Sequence, residues 1–130
     1  MNYFLQKFKA EYFLRLGLGL MYLYSGFDLF VNPRHWYGFV PKWLSQFLLP
    51  AVSVDFYLKA QGVGEFLIGL ILVALFFRGQ LVRAVAWLAA IEMALIIGFV
   101  GIDPITFRDI GLLGAALALL LILSSNNGKK

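Results

Sequence analysis

The chain has 130 residues, of which 62% are hydrophobic and only 14% charged, where a soluble domain carries about 25% charged residues. With a mean hydropathy of +0.84 in 14.6 kDa, it holds more apolar surface than so small a globule can hide, because a small domain buries only part of its chain. This excludes a soluble enzyme domain and any sizeable extramembrane domain, and the absence of cysteine excludes a disulfide scaffold, thiol relays and Cys-ligated metals. The net charge of +4 is scattered, with no basic run longer than Lys129-Lys130, so no nucleic-acid partner is expected. A lone histidine, His35, supplies at most one imidazole ligand, so no metal site is expected.

A spanning helix needs roughly 20 mostly apolar residues. Taken in chain order, spans are predicted over residues 12–31, 56–77, 81–101 and 109–123. The runs are long and lack period-2 alternation, which argues against strands. The first follows Lys7 and Lys9 but has no small-residue cleavage site behind it, so it is expected to be retained rather than removed as a signal peptide. Between the first two spans, Asn32 to Asp55 carries Trp36, Tyr37, Trp43 and Phe47 among Pro33, Pro41 and Pro50. Aromatic residues of this kind favour the headgroup region, and a short amphipathic helix over residues 41–49 is predicted to lie on the bilayer or to lid the bundle. Arg78-Gly79-Gln80 reads as a tight turn joining antiparallel neighbours. Asp103-Pro104 breaks the chain before the last span, where Thr106 is expected to act as N-cap with Asp109 in a variant capping box. The fold class is therefore all-α: an integral membrane four-helix antiparallel bundle, one transmembrane domain with a short interfacial segment between its first two spans.

An even number of spans puts both termini and the 78–83 turn on one side. That side carries seven cations (Lys7, Lys9, Arg15, Arg78, Arg83, Lys129, Lys130) against four (Arg34, Lys42, Lys59, Arg108) on the other. The positive-inside rule then predicts cytoplasmic termini in an inner membrane.

A charge at mid-bilayer costs about 2.5–3.5 kcal/mol on insertion scales, so intramembrane acids are where function is sought. At about 1.5 Å per residue, Glu65 lies some 12 Å below the outer end of the second span and Glu92 some 16 Å above the inner end of the third. If both face inward they form a carboxylate pair able to share a proton or hold a cation; the plainer reading is two neutral carboxyls, each hydrogen-bonded to a neighbouring helix. Gln61, Glu65 and Gly69 share one face by their spacing of four. Gly62, Gly64 and Gly69 allow a helix or a flat ligand to approach the backbone, while Gly111 with Ala115 and Gly114 with Ala118 read as ordinary packing between helices. Arg15, Gly19, Tyr22 and Gly26 form a stripe on the first span. There Arg15 either snorkels to phosphate or turns inward to neutralise a buried acid. Asp28, one turn from the end, reads as solvated. Arg108 and Asp109 open the last span, where an acid suits the helix dipole and the arginine is placed to hold a quinone carbonyl or an anionic headgroup. The candidate catalytic residues are Glu65 and Arg108; the candidate cofactor-binding residues are Arg15, Tyr22, Gln61, Glu65, Glu92 and Asp109.

In order along the chain, Arg15-Leu-Gly-Leu-Gly, Tyr24-Ser-Gly-Phe-Asp-Leu-Phe-Val-Asn-Pro33, Gly62-Val-Gly-Glu-Phe-Leu-Ile-Gly69 and Phe107-Arg-Asp-Ile-Gly-Leu-Leu-Gly114 resemble the DoxX family over nearly the whole length. The resemblance implies a compact four-helix inner-membrane protein. It also implies an association with quinone-coupled sulfur oxidation, through the DoxD-type subunit of thiosulfate:quinone oxidoreductase, or with redox-stress membrane complexes; related eukaryotic proteins resemble receptor chaperones. Arg15, Glu65, Arg108 and Asp109 match the polar positions of the family pattern. The family often has a Lys near the end of the first helix where this chain has Asp28-Leu29-Phe30, so a role resting on that Lys is not expected.

Three functions are open on this reading. The first is a redox-associated subunit binding a quinone or similar lipid between its helices, with Glu65 passing protons and a partner membrane or redox protein carrying the electrons. The second is a non-catalytic scaffold or assembly factor docking another membrane protein. The third is a small-solute carrier built on the Glu65–Glu92 pair, which no internal repeat supports. The lipid bilayer is the expected surroundings, and a homodimer is compatible with small residues on more than one helix face.

Overall fold

The long apolar runs become helices wherever caps and glycines allow them to start and stop. The computed structural model describes residues 9–48, 52–104 and 106–127. It contains α1 (Ala10–Val31), a 3-10 helix (Pro33–Phe39), α2 (Lys42–Leu48), α3 (Val54–Val73), α4 (Gln80–Val100) and α5 (Phe107–Asn127). Among the described residues, four helices, α1, α3, α4 and α5, are long and apolar enough to cross a membrane, and together they form an all-helical, integral-membrane four-helix bundle. The Ser53 hydroxyl accepts from the Phe56 amide at 3.2 Å, satisfying one of the orphan donors of a helix start and setting the start of α3 two residues before the predicted boundary. Gly79 (φ 75) and Gly101 (φ 86) bracket α4 in a left-handed conformation that glycine adopts without a Cβ clash.

Glycine decides which helices pair. In lipid no hydrophobic gain drives two apolar helices together, and small residues at the contact let backbones approach for van der Waals packing. Here α1 packs most extensively on α3. A Cβ added at Gly26 would lie 2.5 Å from the Phe66 amide nitrogen and 2.7 Å from the Gly62 carbonyl; one added at Gly69 would lie 2.7 Å from the Leu23 nitrogen and 2.8 Å from the Gly19 carbonyl. Both collisions are with backbone, which cannot step aside. The second close pair is α4 with α5, where α4 buries Ala86, Ala89 and Ala90 and α5 buries Ala116. By contrast α3 and α4, consecutive in sequence and expected as neighbours, touch little. The small residues Gly111 and Gly114 of α5, expected to serve helix packing, meet nothing within 4 Å of an added Cβ, so the close contact of α5 runs through other positions.

The second span stops at Val73 rather than Phe77, and Arg15 supplies the reason. Its side chain is 1% exposed and turned inward: Nε donates to the Leu72 carbonyl at 3.1 Å, and Nη2 to the carbonyls of Ile71 at 3.3 Å and Ala74 at 3.0 Å. Nη1 meets Glu11 at 3.5 Å. One planar guanidinium thus satisfies carbonyls that the end of α3 leaves without intrahelical partners, and the chain turns away at Ala74. The acid Arg15 meets lies on its own helix. Arg83 of α4 similarly donates to the Leu123 carbonyl of α5 at 3.3 Å. Before α5 the capping pair sits one turn earlier than expected. Asp103 Oδ1 accepts from the Thr106 amide at 2.7 Å while Thr106 Oγ1 accepts from the Asp103 amide at 2.9 Å, so Thr106 closes the loop with Asp103 rather than forming a box with Asp109.

The buried core lies towards one end of the bundle. Leu18 and Tyr22 of α1, Leu72 of α3, Val82 to Met93 of α4 and Ala116 to Leu123 of α5 form one cluster, towards the end that holds the α3–α4 turn. The opposite end, beneath the 3-10 helix and α2, is not filled in this way.

Two outcomes test this account. Gly26→Ala must part α1 from α3 and should cost about 1–3 kcal/mol, the usual penalty of overpacking, whereas Gly114→Ala should stay within about 0.5 kcal/mol; thermal unfolding in detergent, followed by helical circular dichroism, reads both. Arg15→Met strands the carbonyls of Ile71 and Leu72, while that of Ala74 keeps the Phe77 amide, and should lower stability by about 2–3 kcal/mol, with Arg15→Lys recovering only part because an ammonium cannot fork.

Candidate functional site

Because α3 uses one face on α1 and α4 pairs with α5, the faces of α3 and α4 that look towards each other stay apart. They enclose a cavity of about 1140 Å³. Its walls are mostly apolar, drawn from all four spans, and its roof is the segment between α1 and α3, through Trp36, Phe39, Val40, Trp43 and Leu44. The alternative left open by the sequence, a strut on the bilayer or a lid on the bundle, thus has its answer in the described part of this segment. The predicted helix over residues 41–49 is realised as α2, Lys42–Leu48, preceded by a 3-10 helix the sequence reading did not separate; Leu49 and Pro50 fall outside the described residues.

The lid is tied to three spans. Asp28, read from sequence as solvated, accepts from Asn32 Nδ2 at 2.9 Å and from the Trp36 indole at 2.8 Å, and lies 3.3 Å from His35 Nδ1. The Tyr37 hydroxyl donates to Asp55 at the start of α3, and that bond holds the phenol above its usual pKa. Trp43 stacks at a tilt on Phe99 of α4, with ring centroids 5.4 Å apart.

Deep beneath the lid three spans bring polar groups together. Glu65, 7% exposed, lies about 16 Å along α3 from its start at 1.5 Å per residue. One of its oxygens accepts from the Ser25 hydroxyl of α1; the other accepts from Gln61 Nε2 at 3.0 Å. The same Gln61 nitrogen lies 3.3 Å from Glu92 Oε1 on α4. Gln61 therefore bridges the two glutamates across the gap between α3 and α4. The sequence spacing placed Gln61 and Glu65 on one face and set Glu92 at a compatible depth, and the structure joins the three. It adds Ser25, whose signal was a hydroxyl on the buried stripe of Leu18, Tyr22 and Leu29.

The remaining candidates lie around this group or beyond it. Arg108, exposed, and Asp109, half-buried, line the lid end of the cavity, with Asp28 and His35. Arg15 is in the clamp at the far end of α3; Tyr22 is fully buried, its hydroxyl 3.4 Å from the Ala89 carbonyl and within hydrogen-bonding reach of the Glu92 carboxyl, though neither residue lines the cavity. Chemically the arrangement offers an apolar chamber with hydrogen-bond donors and acceptors at two depths: an amide and two carboxyls within, and a guanidinium and two further carboxyls at the mouth.

No family model, curated protein or solved structure matches this chain.

If Asp28 holds the lid, Asp28→Ala should accelerate amide hydrogen exchange across residues 33–44 by about fivefold or more, since each lost hydrogen bond is worth about 1 kcal/mol. Exchange elsewhere should be unchanged. Exchange across the lid as slow as in the parent protein would show that Trp43 and Tyr37 hold it without Asp28.

Proposed function

We propose that this chain is a DoxX-like, redox-associated membrane subunit that binds a quinone or a similar lipid in the lidded cavity. One observation carries the reading: a large apolar chamber whose polar groups converge on the Gln61 bridge between Glu65 and Glu92. Such a combination of apolar walls and a few placed polar groups is what small-molecule sites have in common. The residues fit a quinone head. A protonated glutamate would donate to a carbonyl oxygen, and the mostly apolar walls suit the flat ring.

A bound quinone supplies the redox chemistry, accepting two electrons and two protons as it becomes quinol. The electrons come from a partner membrane or redox protein. Within this chain Glu65 and Glu92 would hold and pass protons to a bound quinone, and Gln61 keeps the two carboxyls in register. Arg108 at the mouth would stabilise negative charge on a ligand oxygen, and the lid keeps water from the chamber. The excess of cations on the side of the termini supports a cytoplasmic location for both ends, in an inner membrane.

A second reading, a scaffold for another membrane protein, draws on α5. It is the least buried of the four spans, and Gly114 stands open on it, ready for the close approach of a foreign helix.

Native mass spectrometry with lipid extraction, on protein purified in mild detergent, separates the two. The quinone reading expects a stoichiometric quinone that falls at least tenfold, about 1.4 kcal/mol, in Glu65→Gln, a change that keeps the shape of the side chain and its bond to Ser25. Bulk lipid alone, or a second polypeptide lost in Gly114→Leu and retained in Glu65→Gln, would move the assignment to the scaffold.

A further inference from the structure

The cavity is closed above and open at the side. Its roof is tied down at Asp28, Asp55 and Phe99. The two helices flanking the polar bridge, by contrast, hardly meet. Gly64 of α3 and Leu88, Ile91 and Leu95 of α4 line the chamber, yet Gly64 is exposed and the three α4 side chains are 55%, 51% and 51% exposed. Residues that line a chamber and also face outward mark a break in its wall. The break sits beside Glu65 and Glu92, within one turn of each along the chain, and so at the depth of the hydrocarbon rather than of the headgroups.

We infer that the slot between α3 and α4 is a lateral portal through which a chain-bearing amphiphile slides in from the bilayer, its polar head reaching the Gln61 bridge and its apolar chain remaining in the slot. This rests on the proposed function and narrows its ligand class. A small water-borne molecule gains nothing from an opening into hydrocarbon, whereas a lipid tail left there keeps its apolar surroundings at both ends. It also gives Gly64 a role that helix packing does not: Gly62 and Gly69 on the same helix are pressed against α1, but Gly64 meets no atom within 4 Å of an added Cβ. Its lack of a side chain keeps the portal clear.

Two measurements on the full chain in lipid nanodiscs test this. The chain has no cysteine, so Gly64→Cys carries a single bimane label. Its fluorescence should be quenched by a spin label partway down a phospholipid chain and not by a water-soluble quencher. Quenching from water alone would overturn the portal, as would protection from both, the result expected if a second copy of the chain covers the slot. In the second arm, a benzoquinone with a decyl chain and the same headgroup without it are titrated against the parent protein and Gly64→Trp in identical nanodiscs, so that partitioning cancels. Filling the slot should weaken the chain-bearing probe at least about tenfold and leave the chainless probe within about twofold. Equal effects on both probes, or on neither, would overturn the portal while leaving quinone binding in place. Failure of both probes to bind the parent protein would remove the quinone reading, and this inference with it.

Discussion

The close approach of α1 and α3 is the constraint on which the rest of the structure depends. Two helices whose backbones meet at Gly26–Gly62 and Gly19–Gly69 form a contact that no side chain can cushion, and it occupies one face of α3 completely. The face with Gln61 and Gly64 meets α4 sparsely, because α4 is drawn to α5 by its own alanines. The cavity is therefore a by-product of where the small residues fall: two tight pairs joined by a core towards one end leave a chamber towards the other. The polar groups of Ser25, Gln61, Glu65 and Glu92 are tolerable within the hydrocarbon because they satisfy one another across three spans.

The same division explains the distribution of charge. Arginine at the packed end acts on backbone: Arg15 on α3 and Arg83 on α5, each giving hydrogen bonds to carbonyls near the end of a neighbouring helix. Asp28 and Asp55, towards the lid end, act on side chains of the lid, and Glu65 and Glu92 face the chamber. Arg15 pairs with Glu11 on its own helix, and His35 lies 3.3 Å from Asp28 in the lid.

Much of this is legible in the sequence. Span number follows from length and apolar content alone, and the shared face of Gln61 and Glu65 follows from a spacing of four. Glu92 was placed by depth, a quantity that rise per residue makes readable. What stayed hidden depends on which helices touch. Gly62 and Gly64 look alike in sequence, yet one faces α1 and the other the chamber. Arg15 carries no mark of whether it will meet lipid phosphate or the carbonyls of a distant helix end, so the early stop of α3 was invisible too. Asp28 looked solvated because its partners, Trp36 and His35, lie on a segment whose fold back over the bundle is a tertiary event. Thr106 was a cap candidate on local grounds, and the competing local partner, Asp103, was the one chosen.

The arginine clamp also has a consequence for the order in which the protein is assembled. Arg15 and Glu11 are four residues apart, so their pairing is available as soon as the first helix forms. The carbonyls of Ile71, Leu72 and Ala74 lie 56 to 59 residues later. During synthesis α1 must therefore wait, with a partly partnered guanidinium, until the far end of α3 has left the ribosome. Only a chain that has completed α3 can close the clamp, which ties the burial of Arg15 to the arrival of the second span.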